Sequence, residues 1–314
     1  MNYRILGKSG LRVSALGFGG SSLGGVFGAV EQTAATAAVR AALDAGITFF
    51  DTAPYYGATR AESVLGVALR GVPRTAYVLA TKVGRYGPSP ADFDFSAARV
   101  ERSVDESLTR LGVDEVDVLQ AHDIEFGDLR QIVEETIPAL QRIQAAGKAR
   151  HIGISGLHLH LFERVLATVG GAVETVQSYC HLTLLDDHLR AFLPGFRARQ
   201  VGVVNSAPLA MGLLTAGGPP DWHPAPLAVK ERCREAAEFC RARGADLSTL
   251  ALQFAAAEPD VAVTVVGMAD PVRVAENVRR FASSPEPALL ADVRRILAPV
   301  HNVGWPSGRP ENQP

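Results

Sequence analysis

Asp, Tyr, Lys and His residues occur at or just after the ends of successive apolar runs. Together these four residue types can transfer a proton to or from the oxygen of a carbonyl or alcohol group. Asp51 ends one such run, Lys82 lies near the end of the next and His122 ends the third, while Tyr55 and Tyr56 follow the first run closely. A buried ammonium beside a carboxylate can stabilise the phenolate form of a nearby tyrosine. We therefore expect Lys82 to lower the tyrosine pKa from about 10 toward neutrality. Spacing alone does not choose between the two phenols.

This set suits hydride transfer to a carbonyl or from an alcohol. The phenol would exchange the proton, and the imidazole of His122 would hydrogen-bond the substrate oxygen and stabilise charge there. No nucleophile is required, and a cofactor must supply or accept the hydride. Taken singly, Asp51 could be a helix cap and Lys82 a loop charge. Their occurrence at three successive strand ends favours a catalytic site.

Eight short runs rich in β-branched residues alternate with longer amphipathic patterns along the chain. Eight repeated βα units predict a closed (β/α)8 TIM barrel of the α/β class, in which catalytic side chains stand where the strands end. An open doubly wound sheet would need a dinucleotide fingerprint after its first strand, and GFGGSSLGG (17–25) does not match one. The predicted strands are SALGFG (14–19), TFFDT (48–52), YVLATKV (77–83), VDVLQAH (116–122), RHIGIS (150–155), TVQSYC (175–180), GVVNSA (202–207) and VTVVGM (263–268).

Several segments outside the βα units have predicted roles. Residues 1–14 form a β-hairpin that can plug one end of the barrel. The Pro- and Gly-rich stretch Thr215–Pro226 is typical of a functional loop over one end, and residues 303–314 are a tail that is loop or disordered. His158 and His160, two residues apart, are expected on the surface without a metal.

The bulk composition restricts the class of protein. Lys+Arg 31 against Asp+Glu 33 leaves a net charge of -2, which disfavours nucleic acid or an anionic membrane as a partner. The 3 cysteines lack paired spacing, which disfavours disulfides and zinc clusters and favours a reducing compartment. No apolar run approaches the roughly 20 residues of a membrane span. We expect one cytoplasmic domain over residues 1–314, with no metal.

Seven short motifs extend over nearly the whole chain. They are FFDTAPYYG (49–57), LATKVG (79–84), VLQAHD (118–123), HIGISG (151–156), VQSYCH (176–181), SAPLAMGLLT (206–215) and VVGMADPVRVAEN (265–277). In this order they resemble the aldo-keto reductase family. The resemblance implies that family's catalytic tetrad, which falls on Asp51, Tyr56, Lys82 and His122 and so selects Tyr56 as the phenol.

The resemblance also implies a nicotinamide site. The family's positions for the nicotinamide amide fall on Ser155 and Gln177. Where NADP-preferring members have a Lys and a Ser for the 2′-phosphate, this chain has Gly267 and Met268, and a lost cation removes charge-assisted hydrogen bonds. NAD is therefore the expected cofactor, with NADP as the alternative because Arg273 remains. The other implied cofactor contacts are Ser206, Pro208, Leu209, Glu276 and Asn277.

Further motifs resemble the L-galactose dehydrogenase and aldose 1-dehydrogenase subgroup of the family. They are HDIEFGDL (122–129), SYCH (178–181), SAPLAMGLLT (206–215), GPPDWHPA (218–225) and WPSG (305–308). This resemblance implies NAD-dependent oxidation of the anomeric C1 hydroxyl of an L-sugar, of the L-galactose or L-fucose type, to a lactone. His181 and Trp222 are the candidate substrate contacts.

Three alternatives stay open. The first is an NADP-dependent aldehyde or ketone reductase, which the same tetrad would serve. The second is a nicotinamide-binding regulatory subunit without turnover, which an intact tetrad disfavours. The third is a phosphate-binding barrel isomerase or lyase, for which MGLLTAGG (211–218) is a poor phosphate loop. By analogy with the family, a monomer or small homo-oligomer with a small-molecule sugar substrate is expected.

Overall fold

A computed structural model describes residues 1–26 and 28–314. Eight parallel strands follow one another in chain order around a closed barrel, in which the last strand pairs back with the first. Each overlaps one of the eight predicted runs, so the predicted (β/α)8 barrel is confirmed. The barrel strands are β3 (Leu16–Gly19), β4 (Phe49–Asp51), β5 (Val78–Val83), β6 (Val116–Ala121), β7 (Ala149–Gly156), β8 (Thr175–Tyr179), β9 (Gly202–Ser206) and β10 (Val263–Gly267).

Helices surround the barrel with their apolar faces toward the strands. Local signals set several of their ends: Gly112 ends α3 in a left-handed conformation, and the side chain of Asp270 caps α10. Between β6 and β7 a helical stretch contains a π turn over Ile132–Thr136, just before Pro138, which has no N–H for a regular helical bond. The helices are α1 (Gln32–Asp44), α2 (Arg60–Leu69), α3 (Ala97–Leu111), α4 (Leu129–Gln131), α5 (Ile137–Ala145), α6 (Leu159–Val169), α7 (Leu189–Ala198), α8 (Leu227–Ala242), α9 (Leu247–Ala256), α10 (Pro271–Phe281) and α11 (Pro287–Leu297).

The N-terminal hairpin closes the end of the barrel at which the strands begin. Its strands β1 (Tyr3–Ile5) and β2 (Arg12–Ser14) pair antiparallel. Leu6 and Val13 are fully buried among side chains from the beginnings of the barrel strands. A Cβ on Gly7 would lie 2.3 Å from a backbone nitrogen of β9, so the hairpin turn contacts the barrel closely only because this residue is glycine. The predicted plug is confirmed.

The C-terminal tail over residues 303–314, expected to be loop or disordered, is a loop that packs on the barrel. Asn312 is 2% exposed, and its side-chain amide donates to the carbonyls of Glu125 (2.8 Å) and Gly127 (2.9 Å). The ring of Trp305 lies 5.1 Å from that of His223 in the Thr215–Pro226 loop, at the same end of the barrel. A polar anchor therefore fixes the tail, and apolar periodicity gives no sign of it.

Across the described ranges, none of the helices has the combination of length and apolar character that crossing a bilayer requires.

Candidate active site

A buried ion pair joins the ends of two neighbouring strands. Lys82 on β5 donates from Nζ to Asp51 Oδ1 on β4 at 2.6 Å and to the carbonyl of Thr52 at 2.8 Å. The two charged side chains are 1% and 3% exposed. Such a pair tolerates burial because each charge neutralises the other and the ammonium has a second acceptor. The structure thus brings Asp51 and Lys82 together as the sequence predicted.

The phenol and the imidazole of the set face each other beside this pair. The rings of Tyr56 and His122 are edge to face with centroids 5.7 Å apart, and Lys82 Nζ lies 5.2 Å from the Tyr56 ring centroid. Tyr55 also contacts His122, with centroids 6.1 Å apart. All four predicted catalytic side chains therefore meet at one end of the barrel.

The expected lowering of the Tyr56 pKa was wrong for the protein alone. Burial raises the pKa of Tyr56 well above its usual value, and the negative charges of Asp51 and Asp123 add to this, while Arg85 opposes it. Because Lys82 lies 2.6 Å from Asp51, its charge is largely neutralised before it can act on the phenol. Tyr56 therefore holds its proton in the free protein.

His122 is neutral in this site. Burial lowers its pKa well below the usual value, and the charges of Lys82 and Arg85 lower it further. Its Nδ1 is buried without a hydrogen-bond partner among the described residues, and its Nε2 lies 3.8 Å from Asp123 Oδ2. A neutral imidazole with unused bonding capacity suits the predicted contact with a substrate oxygen.

Arg85 and Asp123 form a second ion pair that sequence reasoning missed. Arg85 Nη1 donates to Asp123 Oδ2 at 2.5 Å, and the guanidinium lies 3.6 Å from the ring centroid of Tyr55. Asp123 has a left-handed φ of 53°, a conformation that is uncommon for a residue other than glycine. The sequence did contain a signal for this pair, because Arg85 and Asp123 carry opposite charges just beyond the ends of two neighbouring strands. Both charged groups therefore lie next to the tetrad, with Asp123 Oδ2 3.8 Å from His122 Nε2.

The two residues expected to hold a nicotinamide amide are side by side. Ser155 on β7 and Gln177 on β8 are register partners. Gln177 Nε2 donates to Ser206 Oγ at 2.8 Å, whereas Gln177 Oε1 is buried and has no partner among the described residues. An unpaired buried acceptor is costly, and an amide N–H from a ligand would satisfy it. These residues therefore fit a nicotinamide carboxamide.

Comparison with known proteins decides the family. The model of the Aldo/keto reductase family matches residues 15–293. The chain belongs to the aldo/keto reductase family. It is 48% identical to the L-galactose dehydrogenase of Arabidopsis thaliana over 98% of each chain. It is 29% identical to the D-threo-aldose 1-dehydrogenase of Pseudomonas sp, over 93% of this chain and 97% of that one. The holo form of the aldo-keto reductase AKR11C1 from Bacillus halodurans superposes with a TM-score of 0.78 at 28% identity, over 98% of each chain.

This aldo/keto reductase has a buried glutamate behind the expected amide site. Burial raises the pKa of Glu125 to about 8, and the charge of Asp123 contributes. Glu125 Oε1 accepts from Leu157 N (3.1 Å), Tyr179 Oη (3.2 Å) and Ser307 Oγ (3.3 Å). A Cβ on Gly156 would lie 2.4 Å from Glu125 Oε2. The glycine after Ser155 therefore leaves room for the Glu125 carboxylate in this position.

The remaining expected cofactor positions lie at or just after the ends of β9 and β10 and on α10. Met268 and Asn277 are buried, at 1% and 5% exposure. The Arg273 side chain is 64% exposed, and its Nη1 lies 3.9 Å from Glu276 Oε2. Cofactor contacts by these residues stay a prediction. The others in this group are Ser206, Pro208, Leu209 and Gly267, which continue the same edge of the barrel.

His181 and Trp222, the two expected substrate contacts, lie beside residues outside the tetrad. His181 Nδ1 lies 3.0 Å from Asp186 Oδ1. Trp222 is 53% exposed, and its ring stacks near His223 with centroids 6.2 Å apart. Substrate contacts by His181 and Trp222 stay predictions.

The expectation that His158 lies on the surface was wrong. His158 is 6% exposed, and its Nε2 lies 2.8 Å from the carbonyl of Ser307 in the tail. The ordered tail covers this imidazole, whereas His160 is half-buried. Spacing within the helix could not show a cover that comes from a segment so far along the chain.

Proposed function

We propose that this aldo/keto reductase is an NAD-dependent sugar 1-dehydrogenase that oxidises the anomeric C1 hydroxyl of an L-sugar, of the L-galactose or L-fucose type, to a lactone. The observation that carries the proposal is the Arg85–Asp123 pair beside Tyr56 and His122. A guanidinium and a carboxylate can bind neighbouring hydroxyls of a sugar, whereas a simple aldehyde would leave them without substrate partners. The 48% identity to an L-galactose dehydrogenase supports this substrate class.

We assign a role to each side chain of the tetrad as part of this proposal. A nicotinamide, when bound, supplies the hydride acceptor. Tyr56 Oη, once deprotonated, takes the proton of the C1 hydroxyl as the C1–H bond breaks and the C1–O bond becomes a carbonyl. His122 hydrogen-bonds that oxygen and orients it. The Lys82–Asp51 ion pair keeps two charges at fixed positions beside the phenol.

The raised pKa of Tyr56 has a consequence for the direction of the reaction. Oxidation needs the phenolate, which is scarce at neutral pH, so we expect oxidation to speed up as the pH rises. Carbonyl reduction needs the phenol and would slow as the pH rises. The same residues therefore serve both directions.

NAD is the proposed cofactor because Gly267 and Met268 offer neither a cation nor a hydroxyl to a 2′-phosphate. Arg273, which could bind one, is exposed and near Glu276. A cytoplasmic location is also proposed, and three buried cysteines without disulfides support it. We propose a monomer or small homo-oligomer that acts on a small-molecule sugar, with no nucleic-acid or membrane partner.

The test follows the absorbance of reduced nicotinamide with purified protein, NAD or NADP, and L-galactose, L-fucose, D-arabinose and simple alcohols. Tyr56→Phe should lower turnover by about 10²–10⁴-fold. Tyr55→Phe is the matched control, since it removes the neighbouring hydroxyl and keeps the ring on Arg85; its turnover should stay close to that of the unaltered protein. NADPH-dependent carbonyl reduction without sugar oxidation would favour the aldehyde or ketone reductase instead.

A further inference from the structure

A cavity of about 690 Å³ opens at the carboxyl ends of the strands, between the loop after β8 and the C-terminal tail. No tetrad residue is among the described residues that line it. Its wall contains histidines from two different loops together with one carboxylate. The loop after β8 supplies His181, Asp186 and His188, so these side chains come together through local folding of that loop.

These three side chains form a compact set of nitrogen and oxygen donors. Asp186 Oδ1 lies 3.0 Å from His181 Nδ1, and Asp186 Oδ2 lies 3.2 Å from His188 Nδ1. One ligand atom from each residue can be chosen so that all three lie within 4.8 Å of one another. Zinc bonds to imidazole nitrogen and carboxylate oxygen are about 2.0–2.2 Å, and ligands of a tetrahedral ion are then roughly 3.3 Å apart. The two His–Asp separations already match that spacing, and the remaining pair of ligand atoms, within 4.8 Å, must come closer by up to about 1.5 Å.

Hydrogen bonds within the loop hold the Asp186 carboxylate in place. Thr183 Oγ1 accepts from the backbone nitrogens of Leu185 (3.1 Å) and Asp186 (2.9 Å). Asp186 Oδ1 also accepts from the backbone nitrogen of His188 at 3.0 Å. A turn fixed in this way limits the conformational entropy lost when ligands gather around an ion.

The three side chains differ in their exposure to solvent. The side chains of Asp186 and His181 are 8% and 14% exposed, whereas that of His188 is 49% exposed. Two donors therefore stand in the wall and the third stands at the mouth, where an ion can enter from solvent. Three protein ligands leave a fourth position open toward the cavity, as at zinc sites that keep a water.

We propose that His181, Asp186 and His188 bind one divalent transition-metal ion of the zinc class, at a site separate from the tetrad. Two imidazole nitrogens and one carboxylate select such an ion over magnesium or calcium, which take oxygen ligands. The expectation from sequence was that the chain binds no metal. These three residues lie in and beside one loop, and sequence periodicity does not predict the conformation of a loop.

The test uses tag-free, full-length protein that has been stripped with a chelator and freed of it. Zinc is titrated by calorimetry and by competition with a chromogenic chelator. The expected result is one ion bound per chain, with affinity at least tenfold weaker in His188→Ala and in Asp186→Asn. Cobalt in place of zinc should give the visible absorption of a four-coordinate site in the unaltered protein, and His188→Ala should lose it.

Two control variants separate this site from its neighbours. His160→Ala removes a histidine that lines the same cavity outside the set, and it should bind zinc as the unaltered protein does. Cys180→Ser removes the cavity's thiol and should also leave binding intact. His188 is half-exposed, so its variant should fold even if Asp186→Asn does not, and circular dichroism checks this. The proposal is overturned if the unaltered protein binds no zinc, or if Cys180→Ser loses binding while His188→Ala keeps it.

Discussion

At the scale of single residues, Lys82 has two acceptors and almost no contact with water. Lys82→Met should lower kcat by about 10²–10³-fold, since it removes a charge fixed beside the phenol. It should also lower the free energy of unfolding by about 3–5 kcal/mol, because Asp51 would remain buried without its partner. Steady-state kinetics and urea denaturation measure the two effects. The double variant with Asp51→Asn should recover stability but not activity; recovery of both would contradict the catalytic role.

Glu125 should make the stability of the protein depend on pH. Its pKa is raised from 4.5 to about 8, so the folded state binds this proton more tightly than the unfolded state between those values. The free energy of unfolding should therefore fall as the pH rises through this window, by up to roughly 5 kcal/mol from this group. Glu125→Gln keeps the shape and the acceptor Oε1 but cannot ionise.

Urea denaturation of Glu125→Gln at several pH values between 5 and 8 should show a flatter profile than that of the unaltered protein. Glu134→Gln, in which a 60% exposed side chain changes in the same way, serves as the control and should leave the slope as it was. Equal slopes in the unaltered protein and in Glu125→Gln would show that Glu125 is ionised in the folded state throughout.

Sequence reasoning at this scale reached the side chains at strand ends and missed those in the loops beyond. Asp51, Lys82 and His122 end predicted strands, and a parallel barrel brings such positions together. Arg85 and Glu125 belong to loops, and their roles depend on partners that only the folded chain supplies. The sign of the Tyr56 pKa shift was missed for the same reason.

At the scale of elements, the N-terminal hairpin should contribute stability without contributing to catalysis. Leu6 is fully buried at the end of the barrel where the strands begin, whereas its neighbour Ile5 is 57% exposed. Leu6→Ala should cost about 2–5 kcal/mol through lost burial and a cavity. Ile5→Ala should change stability by no more than about 0.5 kcal/mol. Urea denaturation measures both, and KM and kcat of the folded variants should be unchanged. A similar cost for the two variants would mean that the hairpin does not plug the barrel.

The elements that sequence predicted best are those with apolar periodicity. Every barrel strand falls on a predicted run, because alternating βα patterns record which faces are buried. The tail has no such pattern, and it is held by Asn312 and by the contact of Ser307 with Glu125. A segment that is held by only a few polar contacts has a composition similar to that of a disordered segment.

At the scale of the whole molecule, the expected nicotinamide site joins side chains that lie far apart in the sequence, from Ser155 and Gln177 to α10. A ligand that binds only this folded arrangement stabilises the entire barrel, by about 2.7 kcal/mol when its concentration is a hundred times its Kd. NAD should therefore raise the thermal midpoint, and NADP at the same concentration should raise it less, because Gly267 and Met268 give the 2′-phosphate no cation.

Differential scanning fluorimetry over a range of cofactor concentrations measures this linkage without any substrate. Gln177→Leu removes the buried acceptor Oε1, so NAD should shift its midpoint less at each concentration. Gln253→Leu is the matched control: this glutamine donates to Ser283 Oγ at 2.8 Å, just beyond the C-terminal end of α10, and it is not one of the expected cofactor contacts. Its own midpoint should fall, yet the shift caused by NAD should be retained. A larger shift with NADP than with NAD would assign the 2′-phosphate to Arg273, because a guanidinium alone can bind it through two hydrogen bonds.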